Sequence, residues 1–304
     1  MTEGGPGWAR VVALTIVAST LSVVPATLLV FLPVGLLLVA LPPRRPALML
    51  MGAVLVGVVL AQGPDDPMFD FARGWSLVAG AWLVIAAVLV ERPGYTARGL
   101  FAVFAASATA AVVYAVRPGG MTGLDAMVRE RVERTDSATL ALSERWGVGR
   151  NMAEALRQRA DVTTLLQPAL LVLATLAALA VAWWAYRRLA AREAAPLEGV
   201  AQFRFPDALI WLLIAGIVLL ILPIGAVASR TGANLVAVMG LLYALRGAAV
   251  LLFLHGMPSV LGWLLILLIG VLLLPLVLVP TMVVGLSDTW LDIRRRRPIE
   301  NAGP

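Results

Sequence analysis

The sequence predicts an all-α integral membrane protein: a bundle of about eight transmembrane helices with short interfacial amphipathic helices. Three observations carry this. Of the 304 residues, 61% are hydrophobic, against roughly 45–50% in an ordinary soluble domain. The apolar residues come in long runs, as needed for a helix to cross about 30 Å of hydrocarbon. Charged residues make up 14% of the chain and fall between the runs. The exception is Arg246, at the centre of the run Asn234 to His255.

The first run, Val11 to Leu41, has 31 residues without a charge. About 20 helical residues span the hydrocarbon core, so this run is too long for one untilted crossing. Pro25 and Pro33 interrupt it, and each removes a backbone donor. It is either one long kinked helix or a hairpin of two short ones, and the hairpin would raise the helix count to nine. Thr15, Ser19, Thr20, Ser22 and Thr27 give its first half hydroxyls. These either bond back to their own helix or line a cavity. The charges before it are Glu3 and Arg10, and the run exceeds the roughly 7–15 residues of a signal h-region. It therefore reads as retained.

Pro42-Pro43-Arg44-Arg45-Pro46 is a rigid basic loop. Ala47 to Gln62 is a short second span, with Gly52 and Gly57 permitting close helix approach. Residues 63–70 read as a solvated acidic turn. Trp75 to Val90 follows, with Arg73 and Trp75 as interfacial anchors at its edge. Leu100 to Val116 is the next clear span.

Residues 118–162 form the one sizeable stretch outside the apolar runs. The pattern predicts three short amphipathic helices. In the first, near Leu124 to Arg134, Leu124, Met127, Val128 and Val132 share one side. Arg129–Glu133 and Glu130–Arg134 pair at i,i+4 on the other. The second runs from Ser137, as its cap, to Trp146. The third starts at Asn151 with Glu154 three residues on, close to a capping box. Such helices lie at the membrane interface or cap a bundle, and a gating or partner-binding lid is the functional alternative.

Leu165 to Tyr186 is a clean span closed by Trp183, Trp184, Tyr186, Arg187 and Arg188, an aromatic belt with a basic anchor. Ala208 to Ala226, Asn234 to His255 and Val260 to Leu286 complete the set, the last carrying Pro275 and Pro280. The chain thus reads as one integral membrane domain, 1–304. Within it are N-terminal helices over 8–117, an amphipathic insert over 118–162 and C-terminal helices over 163–297.

Function classes narrow by elimination. All 24 basic residues are Arg, and the formal charge is +6. They sit in short loops and at the C-terminus, where they set orientation by the positive-inside rule, so the charge implies no nucleic-acid partner. The three loops containing Arg44, Arg92 and Arg187 fit one side. Simple counting then puts Arg294 to Arg297 on the other, against that rule. With no cysteine and one histidine, thiolate and multi-histidine metal sites are excluded. No phosphate-binding loop and no histidine-based triad emerges. The sequence therefore implies no enzyme and no cofactor.

The sharpest single residue is Arg246. A charge at mid-membrane depth costs roughly 2.5–3.5 kcal/mol on insertion scales, so it is paired or faces a cavity. It either binds an anionic solute or pairs with a carboxylate. On the first reading, Arg246→Leu leaves expression intact and abolishes binding. Asn234 either caps its helix or joins Arg246 as a ligand-binding residue. Asp288 and Asp292, four apart, read as ion-pairing residues together with Arg294. His255 sits at a helix end.

The residues Phe203-Arg204-Phe205-Pro206-Asp207, Asn234-Leu235, Tyr243 through Arg246-Gly247, and Gly285 through Arg294 resemble the C-terminal half of the YybS-like family of bacterial membrane proteins. The likeness extends over most of the chain from Trp8. Such proteins carry Gln before the glycine where this chain has Arg246. The family is similar to the substrate-binding membrane subunits of energy-coupling-factor transporters. The resemblance implies a compact helical bundle in the bacterial cytoplasmic membrane. It also implies a small-molecule ligand and an energising ATPase as partners, with the lipid bilayer as surroundings. The alternative is a non-catalytic scaffold that recruits partners through residues 118–162.

Overall fold

A computed structural model describes residues 25–62, 66–89, 94–116, 120–145, 149–191, 203–256 and 273–296, with single positions between 15 and 18 and between 259 and 268. Every regular element among them is helical. In order these are α1 (Pro25–Ala40), α2 (Pro46–Ala61), α3 (Pro67–Leu89), α4 (Tyr95–Val116), α5 (Gly120–Arg145), α6 (Gly149–Tyr186), α7 (Ile210–Ile221), α8 (Ala226–His255), α9 (Leu274–Leu291) and α10 (Ile293–Arg296). A π-helical turn, Arg187–Ala191, extends α6, and a 3₁₀ turn, Asp207–Leu209, precedes α7. Four stretches are long and apolar enough to cross a membrane: Pro67–Leu89, Tyr95–Val116, Glu154–Ala190 and Ala226–His255. Four shorter apolar helices are Thr27–Ala40, Pro46–Ala61, Asp207–Ile221 and Leu276–Leu291. Of the two prolines expected to interrupt Val11–Leu41, Pro25 opens α1 and Pro33 lies inside it without ending the helix; Ser19, Thr20 and Ser22 lie outside the described residues. The chain packs as two compact units, Met1–Ala195 and Pro196–Pro304.

In the first unit α1 is the central helix, packed on α2, α3 and α6. Its Leu37 and Leu38 join Leu48, Met51, Leu55, Leu83, Val103 and Leu179 in the core. At Gly52 an added Cβ would stand 2.6 Å from the Gly35 carbonyl oxygen, so the α1–α2 crossing is set by two glycines. Four aromatic polar tips find partners on other elements. Trp75 Nε1 donates to Thr175 Oγ1 at 2.7 Å and Trp82 Nε1 to Thr109 Oγ1 at 3.0 Å. The Tyr95 hydroxyl donates to the Leu176 carbonyl, and that of Tyr186 to the Pro42 carbonyl. Replacing Trp75 with Phe keeps an aromatic ring but removes the N–H donor and part of the indole volume, and it orphans the Thr175 acceptor. It should lower stability by about 1–3 kcal/mol, measurable by thermal unfolding in detergent.

Three expectations change here. The acidic turn is the start of α3. The Asp66 carboxylate accepts the Met68 N–H at 2.9 Å, Pro67 occupies the first helical position, and Asp70 lies in the first turn. All three features favour helix entry. Trp75 consequently lies two turns into the helix. It is buried rather than anchored at an interface.

The three short amphipathic helices are two longer ones. No Pro or Gly interrupts 124–145, so α5 runs through Ser137, whose Oγ donates to the Arg134 carbonyl inside the helix instead of capping a new one. The expected apolar side holds: Leu124 and Val128 are buried. From Gly149, α6 continues uninterrupted across 162/163 into the apolar span. Thr164 donates back to Ala160 within it. Pairs Arg129–Asp161 at 3.0 Å and Arg159–Asp136 at 3.3 Å tie α5 to α6.

In the second unit α8 packs on both α7 and α9. Glycines set both crossings. A Cβ at Gly232 would stand 2.7 Å from the Gly216 carbonyl oxygen. A Cβ at Gly247 would overlap the Thr281 carbonyl, and one at Gly285 the Tyr243 carbonyl. α8 begins eight residues before the expected start at Asn234, because Ser229, Arg230 and Thr231 continue the helix. Pro275 stands in the first turn of α9, where its missing N–H costs nothing; Pro280 is the interior proline. Asp292 closes α9 in the left-handed region, at φ 42°, a conformation Asp tolerates better than most residues.

Candidate functional site

Two places in the molecule could carry function, one in each unit. The first surrounds Arg246, which α8 buries completely. Its Nε donates to Asp288 Oδ2 at 3.0 Å and its Nη1 to Asp207 Oδ1 at 2.6 Å. Asp288, on α9, is buried as fully as the arginine. It takes a second bond from Arg294 Nη2 at 3.1 Å, and Arg294 Nη1 reaches the Phe203 carbonyl, also at 3.1 Å. Arg204 closes the set, donating to Asp292 Oδ1 at 2.7 Å. The Phe205 ring covers the Arg246 guanidinium, whose carbon stands 5.5 Å from the ring centroid. That ring also meets Tyr243 edge to face at 5.1 Å.

The charges balance within this cluster. Three arginines, 204, 246 and 294, face three aspartates, 207, 288 and 292. Each formal charge has an opposite at contact distance, so the cluster carries no net formal charge. The Phe203–Asp207 segment is fastened onto α8, the end of α9 and α10 by two ion pairs, a backbone bond and a stacked ring. The outer pair, Arg204 with Asp292, is partly exposed, so Arg204→Ala should change stability by no more than about 1 kcal/mol. A larger drop in melting temperature would show that the strap depends on it.

Asn234 does not join this cluster. It lies inside α8, where its Nδ2 donates to the Arg230 carbonyl at 2.9 Å; the expected capping role is lost because the helix starts earlier. Twelve residues of helix separate it from Arg246, about 18 Å at 1.5 Å per residue. His255 bonds the Leu251 carbonyl at the exposed end of α8. Asp207 and Phe205 were not singled out from the sequence as partners of Arg246. A carboxylate next to the start of an apolar helix was the available signal.

The second place is a half-open cavity of about 460 Å³ in the first unit. Six lining residues come from one face of α3: Pro67, Asp70, Phe71, Gly74, Trp75 and Val78. Their spacing of three and four is that of one helical stripe. α4 supplies Thr109, Ala110, Val113 and Tyr114, and α5 supplies Met127. The Phe71 and Tyr114 rings are 6.4 Å apart across the α3–α4 boundary. The Trp75 and Thr109 polar atoms are already bonded within the protein, so most of the wall is hydrocarbon and ring. Gly74 faces open space: a Cβ there would meet nothing within 4 Å. Neither Arg246 nor Asn234 contributes to this wall.

An all-helical fold with long apolar helices, a charge-neutral internal cluster and an aromatic-walled cavity defines a helical membrane protein. The chain belongs to the family described as predicted membrane protein (DUF2232), whose model matches residues 9–289. No curated protein and no solved structure matches the chain.

Proposed function

We propose that the protein is a small-solute-binding subunit of a transport system in the bacterial cytoplasmic membrane, dependent on a separate energising ATPase. In this reading the solute occupies the α3–α4–α5 cavity and the Arg246 cluster is structural. The observation that carries it is the cavity itself. Its volume lies within the roughly 300–1,000 Å³ of small-molecule sites, and its wall is apolar and aromatic with few polar groups, as such sites are. The likeness to the YybS-like proteins, and through them to energy-coupling-factor substrate subunits, supports the energising partner. All eight apolar helices then cross the membrane, with a ninth if residues 11–24 add a span.

A second reading, a non-catalytic scaffold recruiting partners through residues 118–162, is favoured by the paired, charged faces of α5 and the N-terminal half of α6.

Native mass spectrometry of protein extracted in mild detergent separates the two. A discrete bound small molecule, present in the wild type and absent from Gly74→Leu, is the expected result. Gly74→Leu fills the cavity from a position with free space, so the fold should be retained. A ligand-free wild type that instead carries a protein partner, lost when 120–145 is altered, would overturn the solute-binding reading.

A further inference from the structure

The cavity wall also restricts the chemistry of what it holds, and this step rests on the solute-binding reading. Among its eleven described lining residues one is charged, Asp70, and none is cationic. Three are aromatic: Phe71, Trp75 and Tyr114. Arg73 neutralises Asp70 in part, donating from Nη2 to Oδ1 at 2.7 Å. Its other arm is tied to the end of α2. Nη1 donates to the Gln62 carbonyl at 2.8 Å and the Leu60 carbonyl at 3.3 Å, and Arg73 does not line the cavity. The Asp70 side chain is more than half exposed, so it is accessible to a ligand at the cavity rim.

From this we infer that the cavity is selective for a hydrophobic organic cation: an ammonium bearing apolar or aromatic substituents. Aromatic faces attract a cation through their quadrupoles, more strongly where water is excluded. Phe71 and Tyr114, whose rings stand 6.4 Å apart across the α3–α4 boundary, supply such faces, and the largely buried Trp75, its N–H bonded to Thr175, backs the wall between them. The Asp70 carboxylate supplies the single opposite charge. The apolar substituents lie against Val78, Ala110, Val113 and Met127. A hydrophilic anion finds no donor on this wall beyond groups already bonded to the protein.

The test uses two probes of the same shape, phenyltrimethylammonium and its uncharged isostere tert-butylbenzene. Binding to the purified full chain is measured by equilibrium dialysis against detergent blanks. The cation should bind the wild type about tenfold tighter than the isostere. Asp70→Asn should erase that preference, and Gly74→Leu should abolish binding of both probes, with its melting curve showing an intact fold. Equal binding of both probes, abolished in Gly74→Leu, would overturn the cation selectivity and leave the solute-binding reading standing. Binding of neither probe, or binding untouched by Gly74→Leu, would overturn the inference, and the bound mass sought above would then decide the broader reading.

Discussion

Arg246→Leu should cost about 3–5 kcal/mol of stability, the range for removing one partner of a buried ion pair. The loss should appear as poor expression or a melting temperature lowered by on the order of 10 °C. The substitution leaves Asp288 with no exposure and one of its two arginines gone, and it frees Asp207 from α8. It also uncovers the Phe205 ring. Arg246→Lys should recover only part of the loss, because a single ammonium cannot present the two arms that now hold Asp207 and Asp288 together. Arg246→Leu with Asp288→Leu should cost less than the sum of the two single variants, since the double variant removes both buried charges. If Arg246 were a ligand-binding residue in a preformed cavity, the single variant would fold normally and lose only binding.

Gly247→Ala should be the second most damaging single change. An added Cβ there overlaps the Thr281 carbonyl and crowds the Gly285 N–H, which are both backbone. No rotamer change can relieve such a clash, so α8 and α9 must separate. The expected cost is at or above the upper end of the roughly 1–3 kcal/mol seen for overpacking. Gly285→Ala should behave alike, because its Cβ overlaps the Tyr243 carbonyl. Separation here also pulls Asp288 away from Arg246, coupling the two sites. Gly240→Ala is the internal control. Its Cβ would meet only the Met282 sulfur, at 3.6 Å, an ordinary contact, and alanine is the better helix former. Thermal unfolding of the three variants side by side tests the contrast. A Gly247→Ala protein as stable as Gly240→Ala would contradict the close crossing.

How far the sequence reached depends on which physical signal each feature leaves. Apolar runs are long and local, so the helical membrane class was plain. Arg246 was conspicuous because a lone charge in such a run is costly. Asp288, Asp292 and Arg294 stood out as charges clustered at the end of an apolar run. Asp207 carries no such mark: a carboxylate before an apolar helix looks like any loop acid, and only the folded chain brings it 2.6 Å from an arginine 39 residues on. Helix limits blurred where polar residues continue a helix. Ser229, Arg230 and Thr231 looked like a loop before Asn234, and Ser137 looked like a cap. The cavity left no trace at all. Trp75, Tyr114 and Met127 are ordinary apolar residues from three helices, and an empty space between them has no periodicity. Gly74 looked like any other small residue, and its place on the cavity wall is what distinguishes it.

The central claim is a division of labour: the Arg246 cluster holds the fold, and the α3–α4–α5 cavity holds the solute. The most direct measurement records melting temperature and bound small-molecule mass together for Gly74→Leu and Asp288→Asn. The account predicts opposite patterns. Gly74→Leu should melt like the wild type and carry no ligand, whereas Asp288→Asn should melt lower, and its folded fraction should carry the wild-type ligand. Ligand lost from a stably folded Asp288→Asn, with Gly74→Leu still loaded, would move the solute site to Arg246 and contradict the account.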